Sequence, residues 1–186
     1  MPNTAFELRV SNHLFDTTKN ITGMYQASGQ KAEAPAGLMV KQATRLPNEG
    51  YNGVLNENAW YMNAAADGTG AVYASNTFDV QMLSGPDGTY YKVGRNTLGL
   101  PIPSGMRGTY TRIDEGDIFR IGVGNFSATP GEGATVATIG AGGLLTAGSA
   151  APEAAGTLYF EILETGNFTV GAYNGFAYYL LRARRV

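Results

Sequence analysis

Residues 113–145, with the sequence IDEGDIFRIGVGNFSATPGEGATVATIGAGGLL, decide the fold of this chain. A tight acidic turn at residues 114–117 precedes a segment in which Phe119, Ile121 and Val123 recur at every second position. A period of two places such side chains on one face of a β-strand. We therefore predict a strand here, with the row of Phe119, Ile121 and Val123 in the core.

Glycine-rich turns divide the rest of this stretch into short strands. The sequence Pro-Gly-Glu-Gly at residues 130–133 interrupts the chain before the segment 135–139, and small residues at 140–143 interrupt it again. Proline fixes φ and glycine supplies positive φ, so both residue types favour turns. We expect the loop at residues 127–133 to reach a neighbouring molecule. The small, flexible composition of residues 146–156 predicts a mobile loop.

Alternation with a period of two recurs along most of the chain. The clearest further segments are 38–41, 59–63, 77–83, 90–93, 156–164 and 176–183. The last of them is apolar on both faces, which is typical of a central strand. Residues 57–66 also allow a short helix, because alanines favour one. With 26 glycines, 8 prolines and no long helical period, the pattern predicts an all-β fold, an antiparallel β-sandwich or barrel of about ten short strands.

Residues 1–35 differ in composition from the remainder. Phe6 and Leu8 belong to one short alternating segment, but residues 26–36 contain few large apolar side chains and have the composition of a linker. One interpretation is an N-terminal arm, residues 1–35, that is tied to a β-rich domain at residues 36–186. The other is an edge strand and a surface loop of the same domain.

Composition limits the classes of partner. The chain has 186 residues, 44% of them apolar and only 15% charged, with a formal net charge of −2. A chain of this length suits one domain with a buried core. No basic patch runs through the middle of the chain, so nucleic acid is not expected as a main partner. No apolar run approaches the ~18 residues that a membrane span needs, so we expect no membrane partner.

Residue types suited to catalysis or metal binding are sparse. The chain contains no cysteine and a single histidine, His13, so thiol chemistry and transition-metal sites are not expected. The acidic turn at 114–117 is shorter than an EF-hand loop and lacks its distal glutamate, which favours a solvated turn over a Ca²⁺ site. The glycines at 122–124 and 140–143 lack the lysine and hydroxyl residue of a phosphate loop. We predict no cofactor, no metal and no enzymatic activity.

Two further groups of residues allow a binding role. The 11 tyrosines and Trp60 suit either a carbohydrate groove or packing within the core and between subunits. Arg182, Arg184 and Arg185 make the end of the last strand basic, which suits either a contact with an acidic neighbour or simple solvation. Three charges bind phosphates only weakly.

Four features together point to a family. They are the loose N-terminal arm, the turn that leads into a strand at residues 114–119, the Gly/Ala/Thr-rich region 131–156 and the lack of cysteine. In these features the chain resembles the capsid decoration (cement) proteins of tailed bacteriophages. The resemblance implies a non-enzymatic virion protein, made in the host cytoplasm, that binds the major capsid protein on the capsid exterior and stabilises the shell. It also implies a homo-oligomer, with a trimer favoured.

Eight residues are the candidate partner contacts of such a protein. They are Phe6 and Leu8 in the arm, Ser127, Thr129 and Pro130 in the loop, and Arg182, Arg184 and Arg185 near the C-terminus. Two alternatives stay open. One is a receptor-binding or glycan-binding fibre or adhesin module that uses exposed aromatic residues. The other is a β-fold hydrolase, for which the sequence nominates no carboxylate pair.

Overall fold

The computed structural model describes residues 4–10, 19–47, 59–76, 82–84, 90–92, 101–167 and 176–186. This part of the chain is nearly all β, which confirms the predicted fold class. Its strands are β1 (Phe6–Val10), β2 (Asn20–Ala27), β3 (Gln30–Lys31), β4 (Met39–Arg45), β5 (Ala59–Ala64), β6 (Val72–Ser75), β7 (Met82–Ser84), β8 (Tyr90–Lys92), β9 (Gly108–Ile113), β10 (Ile118–Gly122), β11 (Val136–Ile139), β12 (Leu145–Gly148), β13 (Leu158–Asn167) and β14 (Ala177–Arg185). Short 3-10 turns occur at Val123–Asn125 and Ala141–Gly143.

Five strands close into a small barrel, in the order β2, β5, β4, β6, β9 and back to β2. β2 and β5 run parallel, whereas the other neighbouring pairs are antiparallel. β3 extends β2 as a hairpin. Aromatic and aliphatic side chains fill the barrel, among them Tyr25, Val40, Met62, Tyr73, Ile102 and Tyr110. A barrel this narrow has room inside only for side chains.

Alternation along the barrel strands sends neighbouring side chains to opposite sides of the wall. Val40 and Tyr73 lie inside the barrel, whereas their neighbours Met39 and Val72 lie outside it and belong to a second, larger apolar cluster. The barrel wall is therefore apolar on both faces in this region, and its outer face is the surface against which the second sheet packs.

The second sheet contains six antiparallel strands in the order β1, β10, β14, β13, β11, β12. Near its centre the rings of Phe119 and Phe160 are nearly perpendicular, with 5.3 Å between the centroids. Phe119 and Ile121 are fully buried, and Val123 packs against the same cluster. The core row predicted from the sequence is confirmed. β14 lies between β10 and β13, so the prediction of a central last strand is also confirmed.

The described part of residues 1–35 belongs to both sheets. β1 is an edge strand of the second sheet, and β2 and β3 belong to the barrel. Phe6 is 1% exposed in the larger cluster, and Tyr25 is buried inside the barrel. This placement corrects the division into an arm and a domain at residue 35, because the apolar side chains of β1 and β2 are needed to complete the two cores. The alternative, an edge strand of the same domain, describes β1.

One other local prediction changed, one alternative was decided, and one prediction falls partly outside the described residues. Residues 145–148, which include the start of the predicted mobile loop, form β12, because their main chain pairs with β11. Residues 59–64 form strand β5 and not a helix. The predicted strands at 77–83 and 90–93 are described only as the hairpin of β7 and β8; residues 77–81 lie outside the described residues.

Candidate docking site

A cleft of about 540 Å³ opens at one end of the second sheet, beside the loop at residues 130–134. The loop forms one wall, and the end of β13 with the start of β14 forms the other. The second wall consists of Ile162, Thr165, Gly166, Asn167, Ala177 and Tyr179. The volume lies within the ~300–1,000 Å³ of typical ligand sites. Glycine and other small residues in both walls leave the main chain accessible from the cleft.

The end of β13 presents an edge toward this cleft. The Ile162 N–H donates to the Thr135 carbonyl oxygen at 2.9 Å, which keeps β13 beside the strand β11 up to this point. Beyond it, within the described residues, residues 164–167 pair with β14 alone. A bulge between Ile162 and Glu164 inserts Leu163, whose side chain is 40% exposed.

Alternation determines which main-chain groups of β13 face the cleft. The N–H of Ile162 points away from β14. The bulge adds one residue to the alternation, so the N–H and C=O groups of Thr165 and Asn167 also point away from β14. Glu164 and Gly166 face β14 instead. Thr165 and Asn167 therefore direct their N–H and C=O groups into the cleft that they line. In the described part of the chain no strand pairs with this edge, and an edge without a partner is a template for a further strand.

The loop at residues 127–134 is anchored at both ends and exposed between them. The Ser127 N–H donates to the Leu145 carbonyl oxygen at 2.8 Å, and the Thr135 N–H donates to the Gly148 carbonyl oxygen at 3.0 Å. Both acceptors belong to β12, so this strand holds the loop in place against the sheet. The residues between the anchors project from a fixed base.

The cleft carries little charge. Glu132 is the one charged side chain among the described residues that line it, and its side chain is exposed. Glu132 takes part in none of the ion pairs found within the described chain. Thr165 and Asn167 add a hydroxyl and an amide, and Tyr179 adds an aromatic ring that packs on Phe126 with 4.9 Å between centroids. The cleft therefore offers hydrogen-bonding groups, an aromatic ring and a single charge.

Three of the eight predicted contact residues lie together at this site. Pro130 lines the cleft, and Ser127 and Thr129 are exposed on the same loop. Phe6 and Leu8 do not join them. The Phe6 side chain is buried in the core and so is not available to a partner, and Leu8 is half-buried against the same cluster.

The three C-terminal arginines make contacts within the chain. Arg182 and Arg184 both lie beside Glu161, at 3.7 and 3.0 Å, on the outer face of the second sheet. Arg185 donates to two loop carbonyl oxygens, those of Gly156 at 2.8 Å and Gly70 at 3.0 Å. Gly70 follows a barrel strand and Gly156 precedes β13, so Arg185 ties the barrel to the second sheet.

The acidic turn is occupied by cations of the chain itself. Lys19 Nζ lies 2.5 Å from Asp117 Oδ2, and Arg112 Nε lies 2.9 Å from Asp114 Oδ1. Within the described residues, no group of three or more His, Cys, Asp or Glu side chains is placed to hold a metal ion. His13 lies outside the described residues.

Trp60, which the glycan-binding alternative names, lies in the barrel wall. Its ring is half-buried and packs against the barrel interior. The Arg45 guanidinium carbon lies 5.2 Å from the ring centroid. Tyr61, on the opposite face of the strand, packs against Met24. The guanidinium covers one face of the Trp60 ring, which leaves less of it for stacking against a sugar.

Sequence reasoning missed Leu163, Thr165 and Asn167. A signal for them exists, because the apolar alternation that ends at Ile162 is followed immediately by another leucine. Two adjacent apolar residues in an otherwise alternating strand are what a bulge produces. The end of pairing at Thr135 has no comparable signal in the local sequence.

No protein-family model, curated protein or solved structure matches the chain. Among the described residues, no helix has the length and apolar character needed to cross a membrane.

Proposed function

We propose that this chain is a non-enzymatic structural protein of a tailed-bacteriophage particle. It binds the major capsid protein on the outside of the shell and stabilises the shell. The observation that carries the proposal is the exposed loop at residues 127–134, which lies beside a strand edge that has no second partner among the described residues. The family resemblance of the sequence supports the choice of partner.

The anchored loop lowers the entropic cost of binding to the shell. A loop that is already held at both ends by β12 loses less conformational entropy on binding than a free segment does. Weak contacts suffice on an assembled shell, because a homo-oligomer such as a trimer engages several capsid subunits at once. Binding to the assembled shell and not to free subunits then stabilises the shell by mass action.

The test uses shells assembled from the major capsid protein that the same genome encodes. Purified protein is mixed with the shells, the mixture is sedimented, and the disruption temperature of the shells is measured by light scattering. We expect the protein to sediment with the shells and to raise their disruption temperature. Protein that stays in the supernatant, or shells that break at an unchanged temperature, would contradict the proposal.

A matched pair of variants tests the loop itself. Thr129→Arg with Pro130→Ala alters the proposed docking loop, and Ala151→Arg with Pro152→Ala makes the same kind of change elsewhere. In both places an exposed residue precedes a half-buried proline. The first variant should lose most of its binding to shells, and the second should bind as the unaltered protein does. Equal binding by the two variants would exclude the loop as the docking surface.

A further inference from the structure

We propose that the cleft binds its partner by strand addition. An extended segment of the capsid protein pairs with the open edge of β13, and a basic side chain of that segment lies beside Glu132. The identity of the partner rests on the proposed function, whereas the mode of binding is argued from the cleft.

The main chain of β13 supplies the pairing groups. Thr165 and Asn167 each direct one N–H donor and one C=O acceptor into the cleft, as the alternation after the bulge requires. An added strand satisfies both groups of each residue, and main-chain pairing of this kind supplies much of the affinity in strand addition. The added strand takes the position that β11 occupies beside the preceding part of β13.

The cleft favours an extended segment of a partner over a second copy of this chain. The loop at residues 130–134 faces the β13 edge across the cleft and rejoins the sheet where Thr135 accepts from Ile162. A second copy that paired through the same edge would bring a second Glu132 to the cleft, and like charges repel. A partner segment with a basic side chain complements Glu132 instead.

The chemistry of the walls defines the segment further. Gly131 and Gly133 leave space for the side chains of an added strand, because a Cβ on either residue would meet nothing within 4 Å. Leu163, exposed at the bulge, offers an apolar contact next to the edge. Glu132 is the only charge among the described lining residues, so charge complementarity selects a lysine or arginine on the segment.

The first test removes a donor from the edge. Thr165→Pro deletes the N–H that faces the cleft while the β13–β14 ladder keeps its own bonds, since proline is tolerated where the N–H points away from the partner strand. Lys31→Pro is the control on β3, an edge strand of the barrel. The Ala32 N–H donates to Tyr25 of β2, so the N–H of the preceding residue, Lys31, points away from β2. We expect Thr165→Pro to weaken binding to the capsid shells about tenfold or more, and Lys31→Pro to leave it unchanged.

The second test changes charge in an exposed loop, where the fold is not at risk. Glu132→Lys should weaken binding to the shells about three- to tenfold at low salt, and less at high salt. Glu153→Lys makes the same change at an exposed position outside the cleft and should have no effect. Thermal unfolding of each variant, followed by circular dichroism, verifies that it is folded.

A photo-cross-linker identifies the occupant directly. p-Benzoylphenylalanine in place of Leu163 should cross-link to one continuous segment of the capsid protein that contains a lysine or arginine. If the unaltered protein does not bind shells, the proposed function and this inference both fail. If it binds, and Thr165→Pro and Glu132→Lys bind equally well, only strand addition is overturned. Cross-links scattered over the capsid protein would overturn it too.

Discussion

Lys19 and Asp117 form a buried ion pair that joins the two sheets, with 2.5 Å between Nζ and Oδ2 and side chains that are 5% and 0% exposed. Lys19 directly precedes β2 of the barrel, and Asp117 directly precedes β10 of the second sheet. The same Asp117 oxygen accepts the Asp114 N–H at 2.8 Å. One carboxylate therefore orders the acidic turn and fixes the junction between the sheets.

Removal of the cation from this pair should strongly destabilise the folded protein. Lys19→Met should lower the free energy of unfolding by about 3–5 kcal/mol, because it removes the Lys19 cation from beside the buried Asp117 carboxylate. Urea unfolding at pH 7 measures the change. Lys41→Met is the control, since Lys41 pairs with the exposed Asp67 carboxylate and surface pairs contribute little. The account is wrong if the two substitutions destabilise the protein equally.

Alanine substitutions at two adjacent glycines in the turn before β12 should destabilise the protein to different extents. Gly142 and Gly143 have φ of +74° and +75°, but a Cβ on Gly142 meets open space, whereas one on Gly143 would overlap the Met39 carbonyl oxygen. Gly142→Ala should lower the free energy of unfolding by about 1–2 kcal/mol, because alanine is disfavoured in the left-handed backbone conformation. Gly143→Ala should cost about 1–3 kcal/mol more, because the turn must move away from the barrel. Urea unfolding of the two variants tests this, and equal losses would show that the turn does not pack there.

The tyrosines inside the barrel should make the fold sensitive to alkali. Tyr110 is fully buried and its hydroxyl has no hydrogen-bond partner among the described residues. Burial raises the pKa of Tyr110 above its ordinary value of 10.0, and Tyr25, whose own pKa burial also raises, adds to the rise. The protonated, buried phenol of Tyr110 contributes to stability in full below pH 10. This contribution is lost as the pH rises from 10 toward the pKa of the folded state, because Tyr110 ionises first in the unfolded chain.

Urea unfolding between about pH 9 and pH 11 should therefore show a falling free energy of unfolding. The decline should be shallower for Tyr110→Phe, which has one fewer buried phenol. Tyr159→Phe is a suitable control, because Tyr159 lies half-buried on the outer face of the second sheet. A decline that is the same in all three proteins would rule out Tyr110 as its origin.

Arg185 should act on stability and not on binding. Its two hydrogen bonds to Gly156 and Gly70 connect the sheets at a partly exposed position, so Arg185→Ala should lower the free energy of unfolding by about 1 kcal/mol. Arg182→Ala loses only a half-exposed ion pair with Glu161 at 3.7 Å and should lower it by less than about 0.5 kcal/mol. Both variants should bind capsid shells normally. Loss of shell binding in Arg185→Ala, with stability unchanged, would restore the contact role that the sequence predicts.

Much of the fold could be predicted from local alternation, because a period of two determines which side chains share a face. The row of Phe119 and Ile121 shows this, and so does the separation of Trp60 and Met62 from Tyr61. Alternation does not reveal what covers a face. Phe6 therefore looked like a free contact residue, although it is buried in the core.

Pairing between distant segments was beyond local reasoning. The parallel pair of β2 and β5 and the closure of the barrel by β9 depend on contacts far apart in the chain. β12 was missed because Thr146, Ala147 and Gly148 have small side chains, while the strand is defined by main-chain pairing with β11.

Only one wall of the docking site could be predicted from the sequence, because the other wall depends on pairing between distant segments. Proline and glycine at residues 130–133 identify the exposed loop from the sequence, and Pro130 indeed lines the cleft. The other wall depends on the register in which β13 pairs with β11. β13 continues to Asn167 while its neighbour β11 begins at Val136, and only the pairing of the two strands reveals that the end of β13 is left with one partner in the described chain.

The most direct test of the central claim is a reconstruction by electron cryomicroscopy of capsid shells with and without this protein. We predict additional density on the outer surface of the shell, shaped as two packed β-sheets, with the loop at residues 127–134 and the end of β13 in contact with the capsid protein. Identical maps of the two samples, or added density that contacts the shell through other faces alone, would contradict the account.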